Sequence, residues 1–120
     1  MVGTSLSSAD RRASPRYRAE VLIDFSPNET KTTGITYDVS LSGMFVRTSR
    51  LPREGQKIVA TLRFADGRQL LIQGEVVRIY HPSVLLRGVL PTGFAITVKN
   101  NESYRRFVQS VAAEEPRAEA

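Results

Sequence analysis

The chain contains no cysteine, which excludes disulfides and thiolate metal sites and is consistent with a reducing compartment. Its one histidine, His81, stands before Pro82 in a loop context. No second imidazole is present to complete a metal site, and no histidine near Ser42 in sequence could serve it as a base. Carboxylates paired for hydrolysis are missing. So is any glycine-rich segment running into Lys-Ser or Lys-Thr, which a nucleoside-triphosphate hydrolase would need. These gaps point to a binder and not an enzyme, with no cofactor. Long apolar runs are missing too: the longest fall far short of the ~20 residues of a membrane span. The Ser/Gly/Thr-rich start, Met1 to Ala9, does not resemble a signal peptide. A cytoplasmic protein with no membrane insertion is expected.

What is present is one domain's worth of chain. With 120 residues there is room for a single modest core. Seventeen basic against twelve acidic side chains leave a formal charge of +5. Arginine supplies almost all of the basic side, which favours planar, bidentate recognition of phosphate or carboxylate over diffuse lysine steering.

Hydrophobic periodicity predicts a β-rich body. Ala19, Val21, Ile23 and Phe25 alternate with Glu20, Leu22 and Asp24, the pattern of a strand with one buried face. After a turn at Pro27-Asn28-Glu29, a second strand is predicted over about 33–39. It has Ile35, Tyr37 and Val39 on one side and Thr36, Asp38 and Ser40 on the other. Gly43 is expected to reverse or bend the chain into a third strand over 44–48. Ile58, Ala60, Leu62 and Phe64 form a fourth, closed by the hairpin signal Asp66-Gly67, where Asp66 reads as a turn residue. A long return strand follows over about 69–80, with Gly74 expected to mark a bulge or a barrel corner. The segment 84–91 is ambiguous in type, and Phe94, Ile96 and Val98 define a last strand. Asn100 or Asn101 can cap a helix over about 102–113, whose packing stripe is Tyr104, Phe107, Val108, Val111 and Ala112. Six strands and one terminal helix predict an all-β fold: a six-stranded antiparallel barrel, Greek-key or split, with the C-terminal α-helix packed on it. Residues 1–17 are expected to form a flexible arm, 18–113 the barrel with its helix, and 114–120 a disordered tail.

Two local signals carry chemistry. Arg11, Arg12, Arg16 and Arg18 cluster around Pro15 in a context poor for helix, and their forks can grip phosphate oxygens or a guanine edge. The competing explanation is a solvated basic tail. Some twenty residues on, Asp38 and Ser40 share a strand face and Gly43 follows. A carboxylate is a natural acceptor for guanine N1–H and N2–H₂, and a glycine lets a ligand approach or the chain turn with positive φ. An Asp/Ser turn satisfying its own backbone is the alternative.

Together, Arg12-x-x-x-Arg16 and Asp38-x-Ser40-x-x-Gly43 resemble the paired signature of the PilZ domain family. The likeness extends in order through Gly43 to Thr48, Leu51 to Gly55, the Asp66-Gly67 hairpin and Gly74 to Arg78, and more loosely to Gly93 to Ile96, covering roughly residues 11 to 112. The resemblance implies a bacterial receptor for the second messenger cyclic di-GMP (c-di-GMP), bound singly or as an intercalated dimer. It would signal through a separate, unidentified protein or through homo-oligomerisation, in motility, pilus or biofilm regulation. By that likeness Arg12 and Arg16 would grip the ligand, Asp38 and Ser40 would read a guanine, and Gly43 would permit its approach, with Arg11 and Arg18 as accessories. Two other readings stay open: a ligand-independent protein-interaction adaptor, and a small basic nucleic-acid-binding barrel. The latter is disfavoured because exposed aromatics for base stacking are not evident, Phe45 being the one loose candidate.

Overall fold

The computed structural model describes residues 14–82 and 92–114. Strands β1 (Tyr17–Arg18), β2 (Leu22–Phe25), β3 (Thr32–Val39), β4 (Gly43–Arg47), β5 (Lys57–Arg63), β6 (Gln69–Tyr80) and β7 (Gly93–Val98) precede one helix, α1 (Glu102–Glu114). The sheet runs β1-β3-β2-β5-β6-β7-β4, every pairing is antiparallel, and a further β3–β4 pairing closes it. Because β1 and β2 pair with successive parts of β3, they are two halves of one interrupted strand. The result is the expected six-stranded antiparallel barrel. Residue 83 and the ambiguous segment 84–91 lie outside the described residues, as do residues 1–13 of the expected arm and 115–120 of the expected tail; of the remainder, Tyr17 belongs to β1 and Glu114 to α1.

Alternation explains the core. Ile23 and Phe25, Ile58, Ala60 and Leu62, Ile72 and Val76, and Phe94 and Ile96 point inward from four strands. Phe25 and Phe94 meet edge to face at 5.3 Å. Fully burying a side chain of this size stabilises the fold by about 1.5–3 kcal/mol, so closure is driven mainly by this interior. Helix α1 starts where Asn101 Oδ1 accepts the Tyr104 N–H at 3.0 Å, so Asn101 is the capping residue. Its stripe then buries Tyr104 and Val108 against the barrel, and Phe107 meets Phe64 at 5.2 Å.

The structure corrects three local expectations. The first strand is broken at residues 19–21. There the backbone keeps only the Ala19 N–H to Tyr37 carbonyl (3.3 Å) and Thr36 N–H to Val21 carbonyl (2.9 Å) bonds, and the fully buried Thr36 serves the rest: its hydroxyl accepts the Val21 N–H (2.9 Å) and donates to the Ala19 carbonyl. Second, the β3–β4 register shifts between Thr36 and Asp38, with Tyr37 as the extra residue. Thr36 therefore pairs with core residue Val46, while Asp38 pairs with Phe45 and Val39 with Met44. The bulge separates Thr36 from Asp38 and turns Val39 into the core, so simple parity fails in β3. Third, the irregularity in β6 lies between Val76 and Arg78, not at Gly74.

Candidate ligand-binding site

Bulge and strand break sit beside each other, and together they build the site. The bulge turns Asp38 away from the core, directly opposite Arg18 on β1. Just before β1, Arg16 lays its guanidinium fork on the Asp38 carboxylate. Nη2 donates to Oδ1 at 2.6 Å and Nε to Oδ2 at 3.2 Å. The Asp38 side chain is only 10% exposed, whereas that of Arg16 is 43% exposed. The arginine thus covers the carboxylate and leaves its own outer edge open to solvent. Arg18 stacks its guanidinium 4.0 Å from the centre of the Tyr37 ring. Arg47 lies 5.7 Å from the same ring and 3.5 Å from Glu20.

Beyond Val39 the chain makes a tight turn. Ser40 N–H donates to the Gly43 carbonyl at 2.8 Å, and Gly43 N–H donates back to the Ser40 carbonyl at 3.3 Å. The buried Ser40 hydroxyl lies 3.1 Å from that of Ser42 and accepts the Ser42 N–H at 3.3 Å. Leu41, at the turn's tip, is exposed. It borders a recess of about 330 Å³ that is also lined by Val98, Lys99, Asn100, Asn101, Tyr104 and Arg105, apart from the Arg16–Asp38 pair.

Gly43 owes its identity to the barrel. Its φ is not positive, and a Cβ there would stand 2.0 Å from the carbonyl oxygen of Ile96 on β7. The chain does turn here as expected, but of the two uses foreseen for the glycine, positive φ is not the one it serves. The glycine lets β4 begin pairing with β7 at closest approach.

Of the candidate residues, Arg16, Arg18, Asp38, Ser40 and Gly43 lie on this one edge of β3 and the turn after it. Arg11 and Arg12 lie outside the described residues. Two contributors were missed. Thr36, read only as a strand residue, holds β1 against β3. Tyr104, read as a packing residue, shares its hydroxyl proton between the carbonyls of Ser40 and Gly43, at 2.8 and 2.9 Å. Burial pushes that phenol well above its usual range, an effect the nearby Asp38 reinforces. The sequence signal for Tyr104 was its choice over Phe in an apolar stripe, since a buried phenol needs a partner.

The outer face also carries aromatic rings that alternation did not reveal. Tyr37 and Phe45 meet edge to face at 6.2 Å, and Phe45 and Tyr80 at 5.4 Å. Arg78 reaches Tyr80, donating to its hydroxyl at 3.2 Å. Among the described residues no cluster of three His, Cys, Asp or Glu could hold a metal, and no helix is long and apolar enough to cross a membrane.

Comparison with known proteins agrees with this fold. The family model for the PilZ domain matches residues 10–112. No curated protein matches the chain. Among solved structures, the PilZ domain of Escherichia coli YcgR with c-di-GMP superimposes with a TM-score of 0.67 at 17% identity, covering 87% of this chain and 93% of that one. The Bacillus subtilis inhibitor of motility (MotI/DgrA) gives 0.68 at 16% identity over 86% of this chain, which spans half of that longer protein. The PilZ domain of CeSA from a cellulose-synthesizing bacterium gives 0.56 at 17% identity, covering 83% of this chain and 97% of that one. At these identities the superpositions speak for the fold.

Proposed function

Since the chain belongs to the PilZ domain family, we propose that it is a c-di-GMP receptor whose site is the β1–β3 edge and the Ser40–Gly43 turn. The observation that carries this reading is the Arg16–Asp38 fork. Two residues 22 positions apart, one from each signature motif, meet at hydrogen-bond distance on the barrel's outer surface. A cyclic dinucleotide is a dianion with two guanine faces. Arg16, joined by Arg12 and with Arg11 and Arg18 as accessories, holds phosphate oxygens and guanine faces. Asp38 and Ser40 read the guanine edge.

The exchange is energetically reasonable. The covered Asp38 carboxylate needs a donor throughout, but a guanine edge supplies one, and each charged hydrogen bond to the ligand is worth ~1.5–3 kcal/mol. A phosphate can therefore recruit the open edge of Arg16 and leave the carboxylate to the guanine. Binding turns the Arg16 and Arg18 forks on the β1–β3 edge toward the ligand and creates a new surface for a partner protein, in motility, pilus or biofilm regulation. The YcgR domain solved with c-di-GMP shares this fold.

The test is calorimetric titration with c-di-GMP of the wild type and an Arg12→Ala, Arg16→Ala double variant, with linear GMP as control. Micromolar or tighter binding that disappears in the variant is expected. No heat, and no competition for a labelled dinucleotide, would leave the interaction-adaptor reading in its place.

The Tyr37–Phe45–Tyr80 cluster favours the second reading, nucleic-acid binding. Yet its rings pack edge to face on one another, Phe45 is buried, and one face of Tyr37 is covered by Arg18. Little free stacking surface is left. Sequence-independent binding of single strands with steep salt dependence would support this alternative.

A further inference from the structure

Building on the c-di-GMP reading, we propose that Tyr104 is the positioning residue of the site: its hydroxyl sets the Ser40–Gly43 turn from the helix side and ties ligand occupancy to the docking of α1. The packing stripe does not require that hydroxyl. Tyr104 is 2% exposed and its ring tilts against Phe107 at 6.1 Å, work a phenylalanine ring would do equally well. The hydroxyl instead shares its one proton between two carbonyls at opposite ends of one turn, Ser40 at 2.8 Å and Gly43 at 2.9 Å. Each carbonyl already accepts the other residue's backbone N–H. Tyr104 therefore brackets a turn that closes on itself, and a single oxygen can reach both carbonyls only while they stay at the separation seen here.

The bracket has its own anchor. The Tyr104 N–H is held by Asn101 Oδ1 at 3.0 Å, and the Asn101 amide donates to the Leu71 carbonyl on β6 at 3.0 Å. The hydroxyl is thus fixed to the far side of the barrel independently of the turn it holds. The Ser40 hydroxyl donates to that same Gly43 carbonyl at 3.3 Å, and it and Asp38, two residues earlier, are the groups assigned to the guanine edge. Linkage makes the coupling reciprocal: whatever the docked helix adds to ligand affinity through this hydroxyl, the ligand returns to helix docking.

The test compares c-di-GMP binding by wild type, Tyr104→Phe and Val108→Ala. Val108 is also buried on α1, and its truncation removes apolar packing while leaving the helix docked and the hydrogen bonds of Tyr104 in place. Tyr104→Phe should bind about 3- to 10-fold more weakly, the ratio equivalent to one neutral hydrogen bond of ~0.6–1.4 kcal/mol. Val108→Ala should stay within about twofold of wild type while losing thermal stability. Amide exchange across α1 should slow on saturation of the wild type and change less in Tyr104→Phe. Equal affinity of Tyr104→Phe and wild type, or an equal loss in both variants, would overturn the proposal with the receptor reading intact. A wild type that does not bind would remove both. Should Tyr104→Phe fail to fold, wild-type helix exchange decides alone, and exchange unchanged by ligand rejects the coupling.

Discussion

Two arginine–aspartate forks on this barrel are nearly superposable in their chemistry. Arg16 holds Asp38 at 2.6 and 3.2 Å; Arg63 holds Asp24 at 2.7 and 3.3 Å. Both carboxylates are largely covered and both arginines are close to 40% exposed. The difference lies in what holds each partner. Asp24 and Arg63 sit on the adjacent strands β2 and β5, with regular pairing beside them. Asp24 also accepts the Thr33 hydroxyl from β3 at 2.6 Å. Arg16 instead precedes a two-residue strand whose continuation is broken, beside a bulge. One pair is part of the sheet's own stitching. The other is carried on a short, interrupted element next to a run of further arginines. Pair geometry alone does not distinguish the two forks, whereas the backbone that supports each arginine does.

The largest expected effect comes from forcing the two regions apart through their glycines. Gly43→Ala, in the turn beside Asp38, drives a methyl into the Ile96 carbonyl. Backbone cannot yield as a flexible side chain would, so stability should fall by on the order of 3 kcal/mol in chemical denaturation. Gly67→Ala, in the hairpin after Arg63, meets open space and is strained only by a φ of 93°. Its loss should be about 1 kcal/mol.

The threonines sharpen the contrast at intermediate cost. Thr36→Val strands the Val21 N–H and the Ala19 carbonyl at the strand break. It should cost ~1–3 kcal/mol and speed amide exchange at Tyr17 and Arg18. Thr33→Val leaves Asp24 still held by both Arg63 donors. Under about 1 kcal/mol is expected there, with exchange at β1 unchanged.

The smallest effect is one of pH. Hydrogen bonds from Arg63 first, then Thr33, hold the Asp24 carboxyl below its usual range. A carboxyl depressed in the folded state contributes stability above its unfolded pKa of about 3.9. That contribution is lost as pH falls through the lower folded value. Asp24→Asn should therefore cost less than about 1 kcal/mol at neutral pH, and the gap to wild type should close below about pH 4 in acid-unfolding curves. A gap that widened on acidification would contradict the sign.

What could be read from the chain follows the range of the interactions involved. Alternation at Ile58, Ala60 and Leu62 or at Phe94 and Ile96 is local, and it yields the strands and their succession along the chain. The strand break and the Tyr37 bulge depend on how β3 meets two different partners, so parity misplaced Thr36 relative to Asp38. Gly43 was legible as special but not for its reason, which is a carbonyl on β7, more than fifty residues later. Likewise the helical stripe announced that Tyr104 would be buried, but nothing local says where a phenol's oxygen will point. The grouping of Arg16 with Asp38 was legible only through the paired motif, because no sequence periodicity links positions on separate strands.

The most direct measurement follows the two arginine Nε–H groups by ¹⁵N NMR while c-di-GMP is added. Each Nε donates to an Oδ2, Arg16 to Asp38 and Arg63 to Asp24, so each signal reports on its own fork. A ligand-facing pair requires the Arg16 resonance to shift saturably while the Arg63 resonance stays in place. An Arg16 signal unmoved at saturating dinucleotide, or two signals that move alike, would show that the forks do not differ in function.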